Sequence, residues 1–382
     1  MQGSTPYDYI VAGGGLAGRS LLSHAMWAGA LKGKRVLMVD KEEKQANDHT
    51  WCFWETGAGP FEPLVHHRWE QLHFHDGNAG WLLQLSPLQY KMLRADDFYQ
   101  YTDTLLRTSR SIEMVKGTIS DITPEGCAMI DGEPVKARYI FSSIPAQTSH
   151  LPKTYHYFLQ HFKGWMIETP MNLFDTGKAT LMDFRVSQQH GPAFFYVLPV
   201  APDKALVEYT LFSPSTLNET DYDDALHYYI THHLQCSHYK VLEQEFGVIP
   251  MTDQPFASHN GNIIYIGGAA GQIKGSTGYA FQNIQRHSAA LASLLLREQP
   301  PHVPRSGQRF RLYDSVMLQV LASGKLPGRE VFSRMFDRNS TGKVFRFLDN
   351  QTRFSEELGI FASLPKRAFL QAAAKTFSRL YL

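Results

Sequence analysis

Tyr7-Asp8-Tyr9-Ile10-Val11-Ala12, running without a break into Gly13-Gly14-Gly15-Leu16-Ala17-Gly18, is the stretch that decides the fold. The six residues before the glycines predict a short buried strand. Apolar positions at helical spacing then continue to about Leu31, and residues 35–40 predict a second strand ending on an acid. Strand, G-x-G-x-x-G turn, helix and strand in that order make a βαβ dinucleotide-binding unit. Gly13 permits the tight turn, Gly15 lets a pyrophosphate approach the backbone, and Gly18 lets helix and strand pack closely. The helix N-terminus offers free N–H groups and a positive dipole end to the phosphates. Asp40, about twenty residues past the last glycine, stands where an acid takes ribose hydroxyls.

Outward from this unit, residues 95–108 predict a helix, with Asp96 and Asp97 suited to its first turn. Short β-rich pieces at 112–116, 118–122, 127–130 and 135–142 read as the small meander and returning strand that interrupt a flavin-binding Rossmann domain. From Tyr155 to Pro250 the character changes. Strand-like runs at 164–169, 179–186, 193–199, 205–212 and 240–249, with a helix over 222–234, predict an antiparallel sheet. Residues 262–266 return as an apolar strand ending in Gly267-Gly268-Ala269-Ala270-Gly271, ahead of a helix from about Tyr279 to Leu296. This late glycine-rich junction resembles the second flavin motif of two-domain flavoproteins. Many of those carry an Asp where this chain has Gly268, and backbone N–H groups can serve phosphates and ribityl oxygens instead.

The expected architecture is therefore α/β. It comprises a discontinuous Rossmann-type FAD-binding domain (1–150 and 255–300), an antiparallel-sheet substrate domain (151–254) and a helical C-terminal region (301–382).

Lys plus Arg number 37 and Asp plus Glu 36 among 382 residues, a balance that argues against a nucleic-acid partner. Cys52, Cys127 and Cys236 are scattered and form no C-x-x-C, which fits a reducing compartment and offers neither a disulfide framework nor a zinc site. No H-E-x-x-H pattern occurs, and no metal site is expected. Met1 to Pro6 leaves no room for a signal peptide, and no apolar run reaches the roughly eighteen residues of a spanning helix. A cytoplasmic chain, peripheral to a membrane at most, is expected.

Two acids interrupt apolar strands: Asp183 in Leu181-Met182-Asp183-Phe184, and Glu208 in Leu206-Val207-Glu208-Tyr209. A carboxyl among such neighbours is desolvated and kept protonated near neutrality. Because strands alternate faces, either acid can instead point at water or pair with Arg185 or Lys204. Gly275-Ser276-Thr277-Gly278-Tyr279 precedes a helix and can aim N–H donors at a ligand, or simply cap that helix. Residues 358–382 carry Lys366, Arg367, Lys375 and Arg379, with Phe361, Leu364, Phe369, Leu370 and Phe377 spread among them. Such a basic amphipathic end suits an anionic membrane surface, or docks on the protein itself.

Together these residues resemble the flavin-dependent lycopene β-cyclase family of bacteria and plants. The carriers are the GGGLAG loop, His49-Thr50-Trp51-Cys52-Phe53, the strands holding Asp183 and Glu208, Ile266 to Gly271, Ser276 to Tyr279, and Phe361-Ala362-Ser363-Leu364-Pro365. They span most of the chain in the expected order.

The resemblance implies an enzyme that cyclises the linear ends of lycopene into β-ionone rings without net redox change. It implies FAD in its reduced form, with NAD(P)H as the source of reducing equivalents, and lycopene or a related carotene drawn from the membrane. FAD contacts would come from Gly13, Gly15, Gly18, Asp40, Gly267, Gly268, Ala270, Gly271, Thr277 and Gly278. The family's catalytic glutamate falls on Glu208, in Leu206-Val207-Glu208-Tyr209-Thr210, where plant members have F-L-E-E-T and Tyr209 replaces the second acid. Asp183 matches an acidic position of the family's M-D-x motif and is the second catalytic candidate. The chemistry suits these residue types, because protonating an olefin needs a dry acid and the resulting cation needs aromatic or anionic walls. Rival readings are a flavin-dependent hydroxylase or isoprenoid reductase, and a non-catalytic lipid binder on the same fold.

Overall fold

The computed structural model describes residues 6–44, 47, 49–145, 154–303 and 307–381. Strand β1 (Tyr7–Ala12) lies between two parallel neighbours, β2 (Val36–Asp40) and β11 (Glu133–Ser142). Parallel pairings extend the sheet to β8 (Ile112–Lys116) on one side and to β18 (Ile263–Tyr265) on the other. The two-residue β17 (His259–Asn260) closes the second edge antiparallel. The order is β17-β18-β11-β1-β2-β8, and β9 (Ile119–Thr123) with β10 (Cys127–Ile130) hang a meander on β11. Both faces of β1 are buried, which explains its unbroken apolar run. Tyr9 and Val11 pack under α1 (Leu16–Trp27) and α4 (Phe281–Leu296), while Ile10 and Ala12 face the meander. The first helix stops short of the expected Leu31, because Gly29 and Gly33 take positive φ and turn the chain back to β2.

A second sheet has the order β16-β12-β15-β14-β13-β5-β6. Its body is β12 (Tyr157–Glu168), β13 (Lys178–Asp183), β14 (Ala193–Ala201), β15 (Lys204–Ser213) and β16 (Lys240–Thr252). Residues 71–84, expected with the nucleotide-binding part, instead supply β5 (Gln71–His75) and β6 (Gly80–Gln84), and β5 joins β13 in parallel. Their neighbours β3 (Thr50–Thr56) and β4 (Val65–Trp69) both pair with β7 (Leu88–Arg94) in a small separate sheet, ahead of α2 (Ala95–Arg107). Four of these five strands, β3, β4, β6 and β7, show no clean alternation, so period alone does not reveal them; β5, Gln71-Leu72-His73-Phe74-His75, does alternate, over five residues only.

One face of the second sheet is covered by α3 (Glu219–Tyr228) and a π turn, Tyr229–His233, which pack on Phe195, Val207 and Tyr209. The other face meets the C-terminal helices α5 (Gln308–Ser323), α6 (Gly328–Arg338), α7 (Thr341–Leu348), α8 (Phe354–Ser363) and α9 (Lys366–Tyr381). Which face a residue of this sheet occupies therefore decides what it can do.

Candidate active site

The two glycine-rich turns, some 250 residues apart, come together at the head of the first sheet. A Cβ on Gly267 would stand 2.7 Å from Ala17 at the start of α1. On Gly18 it would meet the Gly13 carbonyl oxygen at 2.1 Å, so helix and strand approach as closely as the sequence predicts. Gly13 has φ +106°, a conformation that excludes other residues, and Ser143 closes over it. Gly15 differs: its φ is ordinary, and a Cβ there would meet nothing within 4 Å. It stands at the N-cap of α1, where no side chain caps the first N–H groups. Open space against free donors is what an anionic group requires. Behind the loop, buried Arg19 donates from Nε to the Gly14 carbonyl at 2.8 Å and fixes its shape. Asp40 accepts from the Gly14 N–H at 2.7 Å and from the Glu42 N–H at 2.9 Å, so its carboxylate sits against the turn.

The late motif is a 3-10 turn, Gly267–Ala270, closed by Gly271 at φ +70°. Gly268 packs on Ile273, and α4 begins only at Phe281, two residues later than expected. Between them the chain from Lys274 to Tyr279 crosses to the second sheet. Gly278, at φ +73°, leaves a gap that Gln160 fills, since a Cβ would lie 2.2 Å from Gln160 Oε1. Lys274 Nζ and Ser276 Oγ both donate to Asp314 Oδ1, at 2.7 and 2.6 Å, and tie this loop to α5. Ser276 thus binds Asp314 rather than capping α4.

Register puts Tyr196, Glu208, Gly164 and Glu245 in a row across β14, β15, β12 and β16, on the face towards the C-terminal helices. Alternate residues of β3 close the other side of this row. Cys52 and Trp54 face it, while Trp51 and Phe53 turn away to Phe98 and Phe281. Trp54 meets Tyr279 edge-on at 4.6 Å and Phe345 at 4.5 Å, and Tyr196 Oη is 3.4 Å from Tyr279 Oη. The result is a dry box of Trp54, Tyr90, Tyr196, Tyr279 and Phe345 around the Glu208 carboxyl.

Burial, with the adjoining Glu245, pushes the Glu208 carboxyl well above the ordinary range. The Thr210 hydroxyl donates to Glu208 Oε1 at 2.6 Å and only partly opposes this. No cation among the described residues answers the charge. Buried Lys91, on the neighbouring β7, is engaged by Glu55 at 2.9 Å and Glu62 at 2.5 Å. Leaving an isolated carboxylate in such surroundings costs several kcal/mol, so the proton stays on near neutrality. Cys52, Tyr90, Tyr196 and Tyr279 are likewise pushed up by burial and remain neutral.

Asp183 does not join this box. It pairs across the strands with Phe195, whose own partner is Tyr209, on the face covered by α3. There Arg185 holds it at 2.6 Å and the Tyr229 hydroxyl donates at 2.7 Å. Burial works against its charge, but these hydrogen bonds outweigh burial and hold it below the ordinary carboxylate range. An ionised, ion-paired group on the far face has neither the proton nor the position for the chemistry of Glu208. The alternation of faces, together with Arg185 two residues on, already offered this arrangement in the sequence. The other proposed pairing does not occur: Lys204 binds Glu168 at 3.0 Å.

Several residues in or beside the box were not named as site candidates from the sequence: Thr50, Cys52, Trp54, Tyr90, Gly164 and Glu245. The first three lie in or beside the His49–Phe53 motif, where only alternation tells which side chains face inward. A glycine inside a strand marks close approach by another group. Gly164 was therefore the available pointer to Glu245.

Around this site, four buried polar atoms have no hydrogen-bond partner among the described residues: Trp54 Nε1, Gln160 Oε1, Thr277 Oγ1 and Glu245 Oε1. Thr277 borders Gly278 and Gln160, so the loop and the sheet face present orphaned polar atoms to one another's surroundings. With the open cradle at Gly15, this set fits a long ligand that is anionic at one end and carries a polar ring at the other.

Solved structures with this architecture include a geranylgeranyl bacteriochlorophyll reductase-like protein from Thermoplasma acidophilum, with TM-score 0.64 and 14% identity over 98% of each chain. The flavin-dependent brominase Bmp2 aligns at TM-score 0.58 and 13% identity, over 98% of this chain and 94% of its own. The fold is that of flavin-dependent enzymes with a Rossmann-type nucleotide domain. Residues 8–374 match the family described as "Lycopene cyclase protein". The chain belongs to the lycopene cyclase family. It is 25% identical to a lycopene beta-cyclase of Pseudescherichia vulneris over 64% of this chain and 62% of the relative, just under two thirds of the latter. A lycopene beta-cyclase of a Paracoccus species is 24% identical over 94% of both chains.

Proposed function

We propose that this protein is a lycopene β-cyclase that closes the linear ends of lycopene into β-ionone rings, with Glu208 as acid and base. The observation that carries the reading is the buried Glu208 carboxyl facing an aromatic box, on the face of the second sheet towards the C-terminal helices. Gly13, Gly15, Gly18 and Asp40 would hold the adenine-dinucleotide end of FAD. Gly267, Gly268, Ala270, Gly271, Thr277 and Gly278 would serve the rest of the cofactor. Bound reduced FAD supplies an anionic, electron-rich surface that stabilises developing positive charge. NAD(P)H provides the electrons that keep it reduced, and none is consumed per ring formed.

Glu208 gives its proton to the terminal olefin of the carotene, breaking O–H and forming C–H. The tertiary cation left on carbon is attacked by the neighbouring double bond, which closes the ring. Loss of a ring proton to the Glu208 carboxylate restores the acid and sets the new double bond. The faces of Trp54, Tyr196 and Tyr279 stabilise the cation and offer no water to trap it.

The carotene enters along an apolar groove of about 490 Å³ between the C-terminal helices, lined by Met317, Phe332, Met335, Phe361 and Phe369. Ser276 and Thr277 form its inner end, next to Tyr279 of the box. Leu370 of α9 is 70% exposed at the groove, and Phe354 and Leu358 of α8 and Phe377 of α9 are exposed as well, near Lys366, Arg367 and Lys375 of α9. This surface rests on the membrane that stores the substrate. Among the described residues no helix is long and apolar enough to cross a membrane.

The test is an anaerobic incubation with lycopene in liposomes, using protein loaded with a known amount of reduced FAD. β-Ring product in excess of flavin, with the flavin still reduced, supports the reading. Flavin oxidised in step with product makes the protein a hydroxylase or reductase instead.

A further inference from the structure

Glu245 sits beside the proposed acid without a stated task. Gly164 on β12 is the register partner of Glu208 on one side and of Glu245 on the other. A Cβ on Gly164 would lie 3.1 Å from Glu245 Cγ and 3.2 Å from Glu245 Oε1. The Glu245 side chain therefore lies over the glycine, in the space a larger residue would occupy, and leans towards Glu208. It is more than nine-tenths buried. Thr50 Oγ1 donates to its Oε2 at 2.8 Å, while Oε1 has no partner. Glu208, on the other side of Gly164, is the carboxyl that interacts with Glu245.

We infer that Glu245 is the positioning residue for Glu208: across Gly164 the two carboxyls share one proton, carried by Glu208, while Glu245 stays the carboxylate that Thr50 holds. The inference rests on the acid/base reading of Glu208. Two like charges this close in a dry site do not both ionise. The proton falls to Glu208 because, apart from the Thr210 hydroxyl, its neighbours Cys52, Tyr90, Tyr196 and Tyr279 are neutral and bring no positive charge to an anion. Burial raises the Glu245 carboxyl too, but it has the Thr50 hydroxyl, the hydrogen bond from Glu208 and the nearby His49, all of which favour its charged form. The like charge on its own strand, Glu243, is matched by Arg94 at 3.1 Å.

The pair serves both halves of the reaction. Before turnover, the carboxylate keeps the proton loaded on Glu208. Once Glu208 has given that proton to the olefin, two carboxylates face one another. Their repulsion makes Glu208 a better base for the proton that must leave the ring. The O–H bond is re-formed as the ring C–H breaks, and its electron pair becomes the new double bond. Atoms and charge return to the starting state.

The pH profile of cyclisation by the reduced-FAD enzyme, wild type against Glu245→Gln, tests this. Removing the carboxylate lowers the pKa of Glu208. The alkaline limb of the rate then moves down by about one pH unit, with about ten-fold loss at neutral pH that is recovered in acid. Glu245→Asp keeps the charge and keeps the wild-type limb. A rate that drops equally at every pH, or a limb that does not move, overturns the inference. Should Glu245→Gln fail to fold, infrared titration of the wild-type holoenzyme against Glu208→Gln decides. A protonated carboxyl band at neutral pH, missing from Glu208→Gln, is expected, and its absence from wild type overturns the pair. Normal cyclisation by Glu208→Gln would instead defeat the acid/base reading itself, whatever Glu245 does.

Discussion

Asp183 and Glu208 sit on the same sheet, yet their carboxyls point to opposite faces, one towards α3 and the other into the aromatic box. Two acids that look alike in sequence thereby acquire opposite charge states. Asp183 is ionised by Arg185 and Tyr229, and Glu208 is kept neutral by burial beside Glu245.

Asp183→Asn should cost stability and leave chemistry in place. The change unpairs Arg185, which is partly exposed, and weakens the bond from buried Tyr229, for a loss of about 1–3 kcal/mol. Since the folded pKa of Asp183 lies below its unfolded value, its contribution is present above about pH 4 and fades as pH falls further. Urea melts at pH 7 and pH 3 should show a deficit that shrinks on acidification. The turnover per folded, flavin-loaded molecule should stay within about two-fold of wild type. A thousand-fold loss would restore Asp183 to the catalytic set.

Glu208→Gln should do the reverse. Turnover should fall by about a thousand-fold or more, because an amide has no proton to give. Stability should rise. The folded pKa of Glu208 is raised, so the wild-type group contributes fully only below its unfolded pKa and loses that contribution as pH rises through the folded one. The gain from Gln is therefore absent near pH 4 and grows towards alkaline pH. A thermal melt of the variant that falls below wild type at pH 8 would contradict the desolvated state of this carboxyl.

The nucleotide-binding half was legible because its signals are local. Strand, glycine turn, helix and acid follow one another within about forty residues, and each has a backbone reason. The late turn at Gly267 was legible for the same reason, and its contact with Ala17 needed only the topology. The aromatic box was not. Thr50, Tyr90, Gly164 and Glu245 come from four strands, and only sheet register brings them to Glu208. The side chain of Asp183 faced a choice that one residue of register decides. Most of the strands in residues 50–94 were missed because their alternation is broken by polar and aromatic residues on both faces; β5 alternates, but over only five residues. The N-terminal segment before Pro6 and residues 146–153, included in the expected domain spans, lie outside the described residues.

Gly15→Val separates folding from flavin binding. At φ −80° a side chain is tolerated by the backbone, and a Cβ meets nothing within 4 Å, so the apoprotein melt should be unchanged. The same side chain occupies the space in front of the α1 N-terminus. FAD affinity, measured by equilibrium dialysis, should fall about a hundred-fold, as expected when a phosphate loses its backbone donors. Gly13→Val is the contrast: φ +106° and the 2.1 Å approach to Ser143 Oγ make it fail in folding rather than in binding alone. Unimpaired FAD binding by Gly15→Val would move the cofactor away from this turn.

Ala373→Trp tests the route of the substrate. Ala373 on α9 lines the apolar groove opposite Val316 and Met317 of α5, elements that pack directly on one another. The indole adds roughly four times the volume of the methyl group it replaces, enough to close the passage without reaching Glu208 or the glycine turns. Flavin content and the pH limb should remain those of wild type, because both are set in the box and at the first sheet. The apparent KM for lycopene in liposomes should rise about ten-fold or more, while a short soluble polyene that reaches the box another way should be spared. Charge on the same helices gives an independent handle. Replacing Lys366, Arg367 and Lys375 by Gln should weaken binding to anionic vesicles by about 1 kcal/mol per charge and leave binding to neutral detergent micelles unchanged. If Ala373→Trp cyclises liposomal lycopene at the wild-type KM, the groove is not the entrance, and the exposed apolar surface of α8 and α9 must serve some other contact.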